Sequence, residues 1–443
     1  MDPHPGTPYE VRCPLHRSIP FDERERAVID HPYFQRLRAI SQLGFAHLVY
    51  PGATHTRFSH ALGVMHLAGR IFDRISAGSP HLFATEFDPE TLAYCRRIVR
   101  LAGLLHDLGH LPFSHAFEPL LPAVEKLELP RKWFSRMDGN RQARHEDYSV
   151  AIVRALAADS QALFSEEEAQ DISALIHDEV LPTPRLTGGN AGQSLYPLLK
   201  QIISGEIDAD RMDYLRRDAH FAGVTYGNFD LDRLIQGLSC IPTTDGIALA
   251  LDYNALFTYE NYLMARFHMA MQVYFHQTLL PFDYFLHQAV KEGEIVIPLD
   301  GGLESVLDAR EDVVLSKLYS ARDKRWCSRI VRRRPAARLY RLDGDWDEGK
   351  KRRILEALIR EGIDPIFIRE ERRLSNLGAG GEPDVPPIMV VESVLGVQRP
   401  RPLHEVSRLL KQYNQPFLIE RLYCDPEQLE SAVAVLHREL QAE

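Results

Sequence analysis

The chain has 443 residues, 45% hydrophobic and 26% charged, with 52 Lys and Arg against 62 Asp and Glu for a formal net charge of −10. That length predicts two or three domains, and the composition is that of a soluble globular protein with a large core. The acidic balance disfavours general nucleic-acid binding, and no apolar run approaches the ~20 residues that span a membrane. Cys13, Cys95, Cys240, Cys327 and Cys424 are scattered without a CxxC, which excludes a thiolate zinc site and a disulfide framework. Residues 1–6 carry neither a basic nor an apolar signal region, so a cytoplasmic protein is expected.

Residues 9–50 begin extended and turn helical. Phe34, Leu37, Ile40 and Leu43 repeat every three to four residues, which predicts a helix over Pro32–Leu43 with one apolar face. Asp30 and Pro32 suit its N-terminus. Gln35, Arg36 and Arg38 lie off the stripe, as a solvated face or as anion contacts. Pro51-Gly52 marks a turn. The helix after it carries Arg57 and His60 one turn apart on one side. Arginine is the natural group to fork onto a phosphate, and His60 can supply an imidazole. His55 and His66 read as structural.

A helix over 91–107 leads into Leu104–His115, which packs His106, Asp107, His110 and His115 together. An adjacent His and Asp can face one metal ion near a helix end. Imidazole nitrogen with carboxylate oxygen suits a first-row divalent ion or Mg²⁺. Gly109 and Pro112 break the helix after the pair, so His110 and His115 sit on a bend beside it. Taken alone, the pair would be a packed histidine and its partner. His145-Glu146 opens a helix with Val150, Ile152, Val153 and Leu156 on its apolar face. It either caps that helix or sets His145 beside the metal. His177-Asp178 lacks the following Gly and reads as a helix end before a loop.

Ile207–Asp218 sets Asp210, Asp213 and Asp218 near helical spacing, with Arg211 and Tyr214. A carboxylate here could complete a His-His-Asp-Asp site with open positions. The competing reading is an amphipathic surface helix with i,i+4 pairs. In the long helical stretch 254–290, Arg266 and Tyr274 could line a cleft as phosphate clamp and base platform, with packing the default for Tyr274.

From about residue 300 histidine becomes rare. Ala337–Leu342, Pro365–Arg369, Ile388–Glu392 and Phe417–Tyr423 read as strands, and Asp347–Glu361, Leu403–Gln412 and Pro426–Glu443 as helices. That order suits a small α+β domain with an antiparallel sheet. Leu377–Pro387 reads as a flexible connection. The run of Arg329, Arg332, Arg333, Arg334, Arg338 and Arg341 is a solvated or intersubunit face, or an anion contact. It lacks the interleaved aromatics of a stacking platform. The expected architecture is mainly α: a large all-helical core over 1–300, then a small α+β domain over 301–443.

Several motifs carry a resemblance: Phe34-Gln35-Arg36-Leu37-Arg38, Gln42-Leu43-Gly44, Pro51-Gly52-Ala53, Arg57-Phe58-Ser59-His60, His106–His115, His145-Glu146 and Ile207–Asp218. Together they resemble the HD-domain metal phosphohydrolases. More narrowly they are similar to the deoxynucleoside triphosphate triphosphohydrolases, here without a sterile-alpha-motif domain. The resemblance spans roughly residues 10–340. It implies that His60, His106, Asp107 and Asp210 bind a divalent metal ion, for which Mn²⁺, Mg²⁺, Fe²⁺ and Co²⁺ are all suited. It implies that His110, His115 and His145 surround the reacting phosphate, with His115 the leading proton donor. Arg57, Arg211, Tyr214 and Arg266 would hold the triphosphate, Gln42 and Leu43 the sugar, and Asp218 the 3′-hydroxyl.

The implied reaction is water attack at the α-phosphorus, giving deoxynucleoside and tripolyphosphate. Activity should fall as pH drops through about 6 to 6.5, where ligand imidazoles become protonated. The resemblance also implies a homo-oligomer and, in some members, an activating nucleotide bound through residues matching Asp30, Gln35 and Arg38. Arg17 stands where many relatives carry the Gly of a His-Gly pair, and Phe275 where a relative has a polar base contact. The alternatives are a nucleotidase, phosphodiesterase or single-strand nuclease using the same metal site, or a nucleotide-sensing module without catalysis.

Overall fold

The structure, a computed structural model, describes residues 9–113, 117–159, 163–188, 193–297, 302–342, 346–372, 388–394, 397–413 and 417–441. His115 and the 377–387 connection lie outside the described residues.

Six helices frame the interior. They are α1 (Arg57–Gly78), α2 (Pro89–Leu105), α3 (His145–Ala158), α4 (Ala209–Ala222), α5 (Leu256–Met269) and α6 (Leu280–Lys291). The longest, α1, is buried on most sides, with Phe58, Leu62, Val64, Met65, Ala68, Ile71, Phe72 and Ile75 in the core. A helix apolar all round is a central one, and α1 packs along both α2 and α4. The start of α2 is set by Asp88, which accepts from Thr91 N, and by Pro89 at the first helical position. Asp208 caps α4 through Arg211 N, and Gly223 ends it in the left-handed region at φ 71°. After Met269, α5 widens into a π turn over Ala270–Tyr274. Among the described residues no helix is long and apolar enough to cross a membrane.

Among the described residues three small sheets complete the fold. β1 (Tyr9–Cys13) and β2 (Arg17–Phe21) form a hairpin with Cys13 opposite Arg17. Arg17 has φ 63°, the conformation that glycine adopts most readily. β3 (Leu238–Thr243) and β4 (Gly246–Asp252) form a second hairpin. β5 (Ala337–Arg341) and β6 (Ile366–Arg372) flank the last strand, β9 (Phe417–Cys424), in an antiparallel sheet. β7 (Met389–Val394) runs parallel to β4, with Ala250 opposite Met389, and β8 (Val397–Pro402) closes that sheet. The main core runs from Cys13 to Tyr423. A second core of Leu342, Trp346, Ile354, Leu358, Leu422 and Leu436 lies between the 337–424 sheet and helices Glu348–Arg360 and Leu429–Gln441.

The fold is thus mainly α with an α+β C-terminal region, but residues 1–300 are not all-helical: the β1–β2 and β3–β4 hairpins lie within them, and β4 pairs with β7 of the C-terminal region. The helix expected over Pro32–Leu43 stops early. His31, not Asp30, caps it by accepting from Tyr33 N, and the α-helix spans Pro32–Gln35 before one 3-10 stretch to Ala39. Ile40 is then extended because its carbonyl accepts from Arg57 N and Ser41 bridges Thr56. The chain is drawn across the start of α1, while Phe34, Leu37 and Ile40 stay fully buried.

Gly109 follows His106-Asp107, and its φ is not positive. Its requirement is space: a Cβ there would overlap the carbonyl oxygen of His145 and crowd Ser149 N and Tyr148. Ser149 Oγ accepts from Gly109 N at 2.9 Å and donates to His106 O at 2.7 Å. The first turn of α3 is therefore docked onto the turn that ends α2. Gly109→Ala should destabilise the protein by about 1–3 kcal/mol, the usual cost of forcing atoms into a packed interior. Denaturant unfolding should show a lowered midpoint with an unchanged slope; an unchanged midpoint would refute this docking.

Candidate metal centre

His60 lies one turn into α1, His106 and Asp107 follow the last residue of α2, and Asp210 lies in the first turn of α4. The crossing of three helices brings the four together. Ligand atoms of His60, His106 and Asp210 all lie within 4.8 Å of one another. His60 Nε2 is 3.0 Å and His106 Nε2 3.6 Å from Asp210 Oδ1. Asp107 Oδ1 is 3.2 Å from His106 Nε2, and its Oδ2 is 3.8 Å from His60 Nε2. His106 Nδ1 is 2.9 Å from Gly103 O, so Nδ1 carries the hydrogen and Nε2 faces the cluster. That Nε2 is buried without a hydrogen-bond partner. An orphaned imidazole lone pair facing carboxylate oxygens fits a divalent cation, and the mixed nitrogen and oxygen donors suit Mn²⁺, Fe²⁺ or Co²⁺.

Electrostatics sharpens the picture. Burial alone would lower the pKa of His60, but hydrogen bonds and charges from Asp210 and Asp213 push it up to about 10. His106 is raised in the same sense against its burial by Asp107 and Asp210. Burial pushes Asp107 up, yet the paired Arg57 guanidinium, with His106 and His110, holds it well below the usual carboxylate range. His110 is pushed well below the ordinary histidine value by burial, Arg57 and His145. Its ring stacks on His145 at 3.8 Å between centroids. His145 is raised, because Glu118 at 2.5 Å from Nδ1, with Glu146, outweighs burial. Two stacked imidazoles are thereby biased to opposite protonation states.

A cavity of about 570 Å³ opens over this floor. Its walls include Gln42, Leu43, Arg57, His106, Asp107, His110, His145, Asp210, Tyr214, Asp218, Arg266 and Tyr274. His60 sits behind the floor, 1% exposed. Arg211 is not in the wall; it pairs with Asp208 and the carbonyl of Gly205. Arg266 is held 3.1 Å from Glu206. Asp218 accepts from Tyr274 OH at 2.8 Å and lies 2.8 Å from His55 Nε2. Phe45, Phe113, Phe275, Leu279 and Leu280 line the rest, with Asp283 and Glu370.

The expectation for Arg36 is corrected. Arg36 is neither a solvated residue nor an exposed anion contact. It is 4% exposed and donates to the carbonyls of Leu108 at 2.5 Å, His110 at 2.9 Å and Ala309 at 3.2 Å, clamping the turn from behind. Arg38 stacks 3.5 Å over the Phe58 ring and donates to Gln35, which donates to Ile29 O. At the second His-Asp pair the side chains diverge, His177 to Asp147 at 3.1 Å and Asp178 to Lys200 at 2.8 Å. Sequence reasoning assigned no role to Glu118, Glu206 or Asp208: they lie in or beside the motifs, and only packing shows that they hold His145, Arg266 and Arg211. It also missed the aromatic wall, which is assembled from separate elements.

Residues 57–218 match the HD domain family. The chain is 32% identical over 280 residues to an uncharacterized protein of Methanocaldococcus jannaschii, covering 63% of this chain and 49% of that one. It is 34% identical over 264 residues to the uncharacterized protein YwfO of Bacillus subtilis, 59% and 51% respectively. Over 290 residues it is 31% identical to a deoxynucleoside triphosphate triphosphohydrolase SAMHD1 homolog of Dictyostelium discoideum, 65% and 49%. The chain spans about half the length of these curated relatives. Its fold is similar to a crystal structure of a hypothetical protein from Aquifex aeolicus, with TM-score 0.72, 29% identity, and 97% and 99% of the two chains covered.

A ligating imidazole must be neutral, so a metal ion has to displace the proton that His60 holds below about pH 10. The raised value moves the titration above the 6 to 6.5 of an unperturbed histidine. Metal affinity should therefore rise with pH across the neutral range, and Mn²⁺ binding near neutral pH should release about one proton. Calorimetry in two buffers of different ionisation enthalpy reads this number directly; a buffer-independent heat would contradict it.

Proposed function

With an HD domain over residues 57–218 as the premise, we propose that this chain is a metal-dependent phosphohydrolase that hydrolyses deoxynucleoside triphosphates to deoxynucleoside and tripolyphosphate. The observation that carries the reading is the His60–His106–Asp210 group, with its orphaned His106 Nε2, at the floor of a cavity large enough for a nucleotide. Asp107 completes the donor set. A divalent ion bound there supplies a polarised phosphoryl oxygen and a bound water of lowered pKa.

The protein's own groups do the rest. Arg57 and Arg266 hold the charge spread over the triphosphate, with Tyr214 in the same cavity wall. Arg211 stands behind with Asp208. His145, whose pKa Glu118 raises against burial, can give a proton to the leaving oxygen, while His110 stacked on it, with its pKa lowered, can orient water. His115 is a further candidate for that proton. Gln42 and Leu43 meet the sugar, Asp218 with Tyr274 the 3′-hydroxyl end, and the aromatic wall around Phe275 the base. A homo-oligomer and an activating nucleotide belong to the same reading. It is supported by similarity to the SAMHD1 homolog of Dictyostelium discoideum and to SAMHD1 of Bos taurus, the latter 34% identical over 241 residues.

Incubation with each deoxynucleoside triphosphate, singly and mixed, with Mn²⁺ or Mg²⁺ and chromatographic separation, tests the proposal. Deoxynucleoside and tripolyphosphate are expected. His106→Ala and Asp210→Ala should lower turnover by at least about 10²–10³-fold, the scale of losing one preorganised charge-stabilising group. Release of a mono- or diphosphate would move the attack to another phosphorus. Absence of any product would leave the nucleotide-sensing reading.

A further inference from the structure

Behind the candidate metal centre lies a carboxylate that faces no cavity. Asp213, one turn after Asp210 on α4, is fully buried. Oδ2 is 2.8 Å from His60 Nδ1 and accepts from Arg217 Nε at 2.7 Å. Oδ1 is 2.6 Å from His16 Nε2 and accepts from Arg217 Nη2 at 2.9 Å. Both oxygens are therefore saturated, and a carboxylate engaged bidentately by a guanidinium is an acceptor only. Room for the pair comes from Gly63, one turn after His60 on α1, where a Cβ would overlap Asp213 Oδ1 and lie 2.6 Å from Arg217 Nη2. The loop between β1 and β2 supplies His16, and the end of β1 supplies Cys13, whose Sγ lies 3.5 Å from Arg217 Nη2.

We propose that Asp213 is the positioning residue of the metal centre. It accepts the Nδ1 hydrogen of His60, so the ring presents its bare Nε2 beside His106 and Asp210, and Arg217 with His16 of the N-terminal hairpin holds Asp213 in place. Groups that orient a ligand from behind typically carry ~10–100-fold in metal affinity. The hairpin thereby belongs to the centre although it reaches no cavity wall. This inference rests on the metal reading of His60, His106 and Asp210.

The test uses Mn²⁺ titration of the full chain, with thermal unfolding as the check on folding. Removing Asp213 alone would strand Arg217 in the core, so the pair is replaced together. Asp213→Leu with Arg217→Met should bind Mn²⁺ about 10–100-fold more weakly than wild type. Asp213→Asn with Arg217→Met keeps an amide oxygen for Nδ1–H and should recover most of that loss. A purely structural role would not separate the two variants, so equal affinities within about two-fold overturn the proposal. Nitrogen-15 spectra of Mg²⁺-loaded wild type need no variant: His60 should carry its hydrogen on Nδ1, and a hydrogen on Nε2 instead also overturns it. A wild type that binds neither ion would sink the metal reading itself, a different failure.

Discussion

Charges buried without partners are costly, and the floor of this cavity concentrates them. Asp213 is committed to Arg217 and Asp107 to Arg57, each pair buried. What remains is Asp210 facing two imidazoles. Its charge is balanced either by a proton shared with His60 or by a cation between the three. The raised pKa of His60 and the orphaned Nε2 of His106 are two faces of one unmet demand for positive charge.

That demand is met only if the three helices hold their crossing. α1 and α4 meet at Gly63, and α2 ends in a turn whose own backbone bonds are Leu108 N to Leu105 O at 3.2 Å and His110 N to Asp107 O at 3.1 Å. The turn is held from two sides. Ser149 at the start of α3 bridges His106 O and Gly109 N, while Arg36 reaches from the opposite side to the carbonyls of Leu108 and His110. Among the described residues the hydrogen-bond acceptors of Arg36 are backbone carbonyls, and burial with the nearby Arg57 pushes its pKa down to about 10. A guanidinium so placed adds positive potential behind the turn that carries His106 and Asp107.

What the sequence made legible follows from how local each signal is. The HD turn, the α4 stretch and the mainly helical class are written in contiguous residues, and the helices carrying them lie close to their expected bounds. Asp210 and Asp213 both read as candidate carboxylates on one helix; only packing separates the one that faces the cluster from the one behind it. Arg36 reads as a solvated face or an anion contact when the 3.6-residue period is carried past Gln35, where the chain leaves the α-helix. The hairpin Leu238–Asp252 was not placed, although Asp245-Gly246 is a turn signal before a continuous apolar run. Its strand β4 is buried along Gly246–Leu251, and such a run resembles a buried helix by periodicity alone.

The residues after 300 bear on the cavity through contacts no local pattern encodes. Glu311 takes the backbone N–H of Ser41 at 2.9 Å and its hydroxyl at 2.5 Å, bracing the loop that presents Gln42 and Leu43. Ala309 O receives Arg36. Arg421 on β9 donates to the carbonyl of Phe275, and Glu370, two residues along β6 from the partner of Arg421, lines the same cavity. β7 continues the sheet begun by β4. Wall residues on both sides of the cavity thus depend on the C-terminal region for their backbone positions. Any shift of that region, by assembly or by a ligand, acts first on the Gln42–Leu43 and Phe275 walls, while His60, His106 and Asp210 stay anchored by α1, α2 and α4.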